Sequence, residues 1–91
     1  MGLEEKNNDT RIAVVGIIIE NVESATAVNE ILHQYGSYVI GRMGLPYKDK
    51  QVNIISVVLD APADVISAVS GKLGRLPGVS SKALYSRQTS R

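Results

Sequence analysis

The sequence of 91 residues predicts an α+β sandwich of order βαββαβ, with a four-stranded antiparallel sheet and two helices on one face. Three observations predict it. Two runs dominated by Ile and Val occupy residues 12–19 and 52–59. Each is followed by an apolar stripe at helical spacing, and each stripe by a further strand pattern.

The first strand is expected over residues 11–20, because β-branched side chains fit a pleated surface. Asn21 is placed to cap the following helix, with Glu23 in its first turn. Ala25, Val28, Ile31, Leu32 and Tyr35 then recur on one helical face, and Gly36 is expected to end that helix in the C′ role. A second strand is expected over 38–43, and a connector over 45–50 with Pro46 and Asp49 leads to a third over 51–59. Pro62 suits the first turn of a second helix whose stripe is Val65, Ile66, Val69, Leu73 and Leu76. Gly71, Gly74, Pro77 and Gly78 end it before a fourth strand over 79–85. Residues 1–10 and 87–91 are expected as flexible tails around a single domain of 11–86, since a chain this short has room for one core.

Right-handed β-α-β crossovers place the first and third strands side by side at the centre of the sheet, with both helices on one face. An antiparallel sheet covered on one side should alternate apolar with polar residues, and these strands barely do. One face offers Ile12, Val14, Ile18, Val52, Ile54 and Val58; the other offers Ala13, Val15, Ile17, Ile19, Ile55, Val57 and Leu59. Two helices cover one set, and the pattern alone does not choose which. A large aliphatic side chain contributes roughly 1.5–3 kcal/mol when buried, so a second subunit is the expected cover for the other. We assign Ile12, Val14, Ile18, Val52, Ile54 and Val58 to that interface and expect a homodimer or a tetramer.

Composition narrows the function. Hydrophobic residues make up 44% and charged residues 21%, the balance of a globular protein. A formal net charge of +1 supplies no field to gather phosphates or anionic lipid, so neither direct nucleic-acid binding nor a membrane partner is expected. The absence of cysteine removes disulfides, thiolate metal sites and cysteine nucleophiles. The longest apolar run, 12–19, falls short of the ~20 residues of a membrane span. Residues 1–10 carry Glu4, Glu5 and Asp9 against Lys6, unlike the basic start of a signal peptide, and a cytoplasmic location is expected.

His33 shares a polar helix face with Thr26 and Glu30 and has no visible second ligand or orienting partner, so it reads as a solvated side chain. No catalytic set, metal site or cofactor is expected, and the chain does not read as an enzyme. Gly41-Arg42-Met43-Gly44 and Gly71-Lys72-Leu73-Gly74 have the spacing of the loop by which KH domains clamp a nucleic-acid backbone. That loop joins two helices, whereas these segments adjoin strands and turns, so turn and close-packing glycines are the simpler reading. Arg42, Tyr47 and Lys48 lie near the expected hairpin, where they could meet an anionic or planar ligand. Gly41, Arg42, Gly44 and Tyr47 are the candidate ligand contacts. Lys72, Arg75, Lys82 and Arg87 could form a basic edge.

The run 11–19, the segment Gly41-Arg42-Met43-Gly44-Leu45-Pro46-Tyr47, the strand 54–60 and the run Gly71-Lys72-Leu73-Gly74-Arg75-Leu76-Pro77-Gly78-Val79 together resemble the iron-only hydrogenase system regulators. That resemblance implies an ACT-like, ferredoxin-like fold, assembly through sheets and helices, and regulation by binding. In ACT domains small molecules sit at subunit interfaces near the first strand-helix turn, here residues 20–23, but this turn has no glycine. The related nickel-responsive repressors use several histidines and a cysteine for their metal; this chain has His33 alone and no cysteine, so nickel is not carried over. Their DNA-binding segment has no counterpart in residues 1–10, so a transcriptional role would need another protein. The sequence is thus read as a non-enzymatic regulatory module that binds a small molecule or a partner protein. The alternative is an accessory assembly subunit without a ligand.

Overall fold

The computed structural model describes residues 9–90. The expected N-terminal tail lies outside the described residues except for Asp9 and Thr10. The elements are β1 (Thr10–Ile19), α1 (Ala25–Gln34), β2 (Val39–Tyr47), β3 (Val52–Ala61), α2 (Ala63–Gly74) and β4 (Val79–Ser90). The four strands pair antiparallel in the order β2-β3-β1-β4, which with the βαββαβ order is the ferredoxin-like arrangement.

The helices take the face of Ala13, Val15, Ile17, Ile19, Ile55, Val57 and Leu59, all buried. Val28 and Leu32 of α1 and Ile66, Val69 and Leu73 of α2 complete this core, as their 3.6-residue spacing predicts. Residues directly opposite in a ladder share a face, so the register Val14↔Val58 and Ile18↔Ile54 puts Val14, Ile18, Ile54 and Val58 on the face away from the helices.

The turn from β1 into α1 is braced by the turn before β4. Asn21 Oδ1 accepts from the Glu23 backbone N–H at 3.0 Å, the capping role read from sequence, ahead of a short 3₁₀ turn, Val22–Ser24. Glu20 N–H donates to the Gly78 carbonyl at 2.7 Å, and the buried Ser24 hydroxyl donates to the Pro77 carbonyl at 2.6 Å. Gly78 has a φ of 69°, the left-handed region that favours glycine.

Three local expectations are corrected. Gly36 does not adopt a left-handed C′ conformation; the chain tightens instead into a 3₁₀ turn, Gly36–Tyr38, whose i→i+3 bond from Tyr38 N–H reaches Tyr35. The second strand is longer than expected, because β2 runs on through Gly44 and Pro46 to Tyr47, leaving only the 3₁₀ turn Lys48–Lys50 and a left-handed Gln51 as connector. An edge strand tolerates Pro46, since β2 pairs with β3 alone and proline's lack of an N–H is accommodated at sheet edges. The fourth strand, expected to stop at Tyr85 with a tail over 87–91, continues to Ser90, pairing Thr10↔Ser90 and Arg11↔Thr89 beyond an irregularity in the ladder.

Gly71 lies inside α2 with open space where a Cβ would stand. Gly71→Ala is therefore expected to stabilise the protein by about 0.5–1 kcal/mol through reduced backbone entropy of the unfolded chain. Thermal or urea unfolding reads the change directly; a decrease would show that the position is not an unconstrained helix interior.

Candidate functional site

Along β2 the side chains alternate between the two faces. Arg42 is opposite the buried Val57, and its Nη2 donates to Oδ1 of Asn29 on α1 at 2.7 Å, so Arg42 leans toward the helix layer. Asn29 is held in turn by its own Nδ2, which donates to the Ala25 carbonyl at 3.0 Å. Between α1 and β2 lies a recess of about 260 Å³ whose wall includes Asn29, Arg42, Gly44, Pro46 and Asn53. An adjoining recess of about 340 Å³ lies between the β1–α1 turn and the β2–β3 hairpin, with Glu20, Val22, Tyr47, Lys48 and Gln51 around it. Ile19, Pro46 and Asn53 belong to both walls, so the two hollows form a groove along the hairpin. The first falls just short of the ~300 Å³ lower end of ligand-pocket sizes and the second just exceeds it.

The expected contacts are spread along this groove. Arg42 and Gly44 line the first recess, Tyr47 the second, and Gly41 neither. Asn29 and Asn53 were not read from the sequence. Asn53 had a legible signal, because it carries an amide at a position whose parity matches the buried Ile55, Val57 and Leu59. Asn29 had none, since its pairing with Arg42 joins elements whose juxtaposition only the fold supplies.

The second feature is the sheet face away from the helices. Leu45, Ile54 and Ile18 form one cross-strand row, and Val58, Val14 and Leu84 another. Between them runs the row Met43, Ser56, Gly16 and Lys82, where the small residues leave a trough. The exposures are large: Leu84 73%, Met43 63%, Ile18 43% and Val14 38%. Ile12, Val52, Ile54 and Val58 are half-buried by their neighbours within the sheet. All six residues assigned from sequence to a subunit interface thus belong to the β1 and β3 positions that the helices do not cover.

His33 is exposed on the polar face of α1, and no group of three His, Cys, Asp or Glu side chains that could hold a metal occurs among the described residues. The expected basic edge does not gather in one place. Lys72 lies over the Tyr35 ring at 5.1 Å in the helix layer, while Lys82 faces the other way, between Ser81 and Ala83, which turn toward the helices. No helix among the described residues is long and apolar enough to cross a membrane.

The chain is thus a ferredoxin-like α+β domain with a groove beside its hairpin and an apolar sheet face that its own helices do not cover. Comparison with known proteins gives the family. Residues 11–83 match the TM1266-like family, described as "Iron-only hydrogenase system regulator, putative", and the chain belongs to that family. The solved structure of the uncharacterized protein TM1266 from Thermotoga maritima is similar, with a TM-score of 0.80 and 32% sequence identity over 84% of this chain and 96% of that one. No curated protein matches the chain.

Proposed function

We infer that this chain is a non-enzymatic regulatory module of the iron-only hydrogenase system regulator type, which acts as a homodimer or a tetramer built from dimers and binds a small effector or a partner protein. The observation that carries this reading is the apolar face of Val14, Ile18, Met43, Leu45 and Leu84, which the chain's own helices leave open. Contiguous apolar surface of this kind marks a docking surface, and homo-oligomers bury such faces most often about a twofold axis. The groove from Arg42 to Lys48 is the effector site in this reading, with the guanidinium and Gly44 at one end and Tyr47 and Lys48 at the other. Its two cationic groups suit a small anionic or planar ligand. Family membership supports regulation rather than catalysis.

Sedimentation equilibrium tests the assembly. A monomer at micromolar concentration would overturn it. The effector site is tested by following Tm during titration with amino acids, nucleotides and small organic anions, because a ligand of the native state must raise Tm by mass action. Arg42→Ala is expected to change stability by less than about 0.5 kcal/mol, since Arg42 is exposed, while abolishing the ligand-induced rise. A ligand that stabilises the Arg42→Ala protein as fully as the wild type would remove Arg42 from the site.

The accessory-subunit reading has one observation in its favour. Arg42 already donates to Asn29 within the chain, so its charge has a partner without a ligand. Absence of any Tm shift across those ligand classes would select it.

A further inference from the structure

We propose that the second copy docks on the open sheet face about a twofold axis running past Val14, so that Asp60 of each copy meets Lys82 of the other. This rests on the assembly reading above and adds the pairing. Asp60 pairs with Ile12, which puts it, half-buried, on the open face. Among the described residues the same face offers an exposed ammonium, Lys82, opposite Gly16.

Register fixes how these charges are disposed. Asp60 lies one strand to one side of β1 at the level of Ile12, and Lys82 lies one strand to the other side at the level of Gly16. Val14 stands midway between those levels on β1. A twofold axis lying in the interface, passing by Val14 and diagonal to the strands, therefore superposes Asp60 of one copy on Lys82 of the other, and the reverse. Such an axis crosses the strands of the two copies steeply, within the orthogonal class of sheet packing. The face is thus self-complementary in charge as well as apolar, which favours a second copy over an unrelated protein. The trough of about 390 Å³ beside Gly16 and Ser56 gives the facing sheet a place to seat a projecting aliphatic side chain.

The chain has no cysteine, so single cysteines report geometry cleanly. Asp60→Cys and Lys82→Cys proteins, mixed and treated with a short bismaleimide, are expected to give a cross-linked dimer in high yield, whereas each protein alone gives little. In sedimentation, Asp60→Lys and Lys82→Asp are each expected to weaken association at least ~10-fold, and the double exchange to restore most of it. Asp60→Asn, which preserves shape, covers the case in which the lysine variant misfolds; it should weaken association with an unchanged circular dichroism spectrum. A wild-type dimer insensitive to these charges, or equal cross-linking in all three samples, overturns the pairing while leaving the stacked-face assembly standing. A monomeric wild type overturns both.

Discussion

Gly78→Ala is expected to lower stability by about 2–4 kcal/mol, through a strained backbone and an overpacked contact together. With a φ of 69°, any L side chain at this position is disfavoured. The space is also taken: a Cβ at Gly78 would stand 2.5 Å from Asn21 Cβ and 2.9 Å from Asn21 N. The second contact is with backbone, which cannot swing aside as a flexible side chain would. Moving Asn21 would disturb its own cap on Glu23 and the bond from Glu20 N–H to the Gly78 carbonyl. For a domain of this size each kcal/mol shifts Tm by ~4–8 °C, so a fall on the order of 10–20 °C should appear in a thermal melt. Gly78→Asn separates the two causes. Asparagine tolerates the left-handed region but brings the same Cβ, so it should be nearly as damaging as alanine if the contact with Asn21 dominates. A variant with wild-type Tm would mean that the two turns do not meet as closely as described.

This buttress explains what a motif could and could not convey. Leu76-Pro77-Gly78-Val79 was legible in the sequence as a turn before a strand. Its function as a clamp on the first strand-helix turn was not, because the partners Asn21 and Ser24 lie more than fifty residues away in the chain. The central strands were read correctly because dense β-branched residues leave few alternatives, and the helices because their stripes repeat over several turns. The edges were not. Gly44 and Pro46 carry turn chemistry yet sit in β2, where pairing on one side only makes few demands. Residues 86–90 have no apolar period, and backbone ladder bonds, which need no side-chain pattern, carry β4 onward beside the start of β1.

The candidate site shows the same division. Reading along the chain grouped Gly41, Arg42, Gly44 and Tyr47 because they are neighbours in sequence, but a strand has a period of two and separates neighbours in space. Arg42 turns to Asn29 in the helix layer while the flanking Met43 is exposed on the other face. The six residues Ile12, Val14, Ile18, Val52, Ile54 and Val58 were grouped on one sheet face by parity alone, since parity along two paired strands is itself the information that defines a sheet face.

Val14 carries the strongest test of the assembly. If a twofold axis passes beside it, Val14 faces its own symmetry mate, and a charge placed there confronts an identical charge. Val14→Asp and Val14→Lys are each expected to weaken self-association at least ~100-fold, because like charges brought together at an interface cost several kcal/mol. Val14 is already 38% exposed in the single chain, so both variants should keep a native circular dichroism spectrum. Mixing the two proteins should then restore association as a heterodimer, since aspartate now meets lysine at the axis. That recovery distinguishes the proposed geometry from simple loss of apolar surface, for which mixing two damaged subunits brings no gain. If neither substitution weakens the wild-type assembly, Val14 is not at the interface. If both weaken it and the mixture stays dissociated, the open face is buried but the axis lies elsewhere on it.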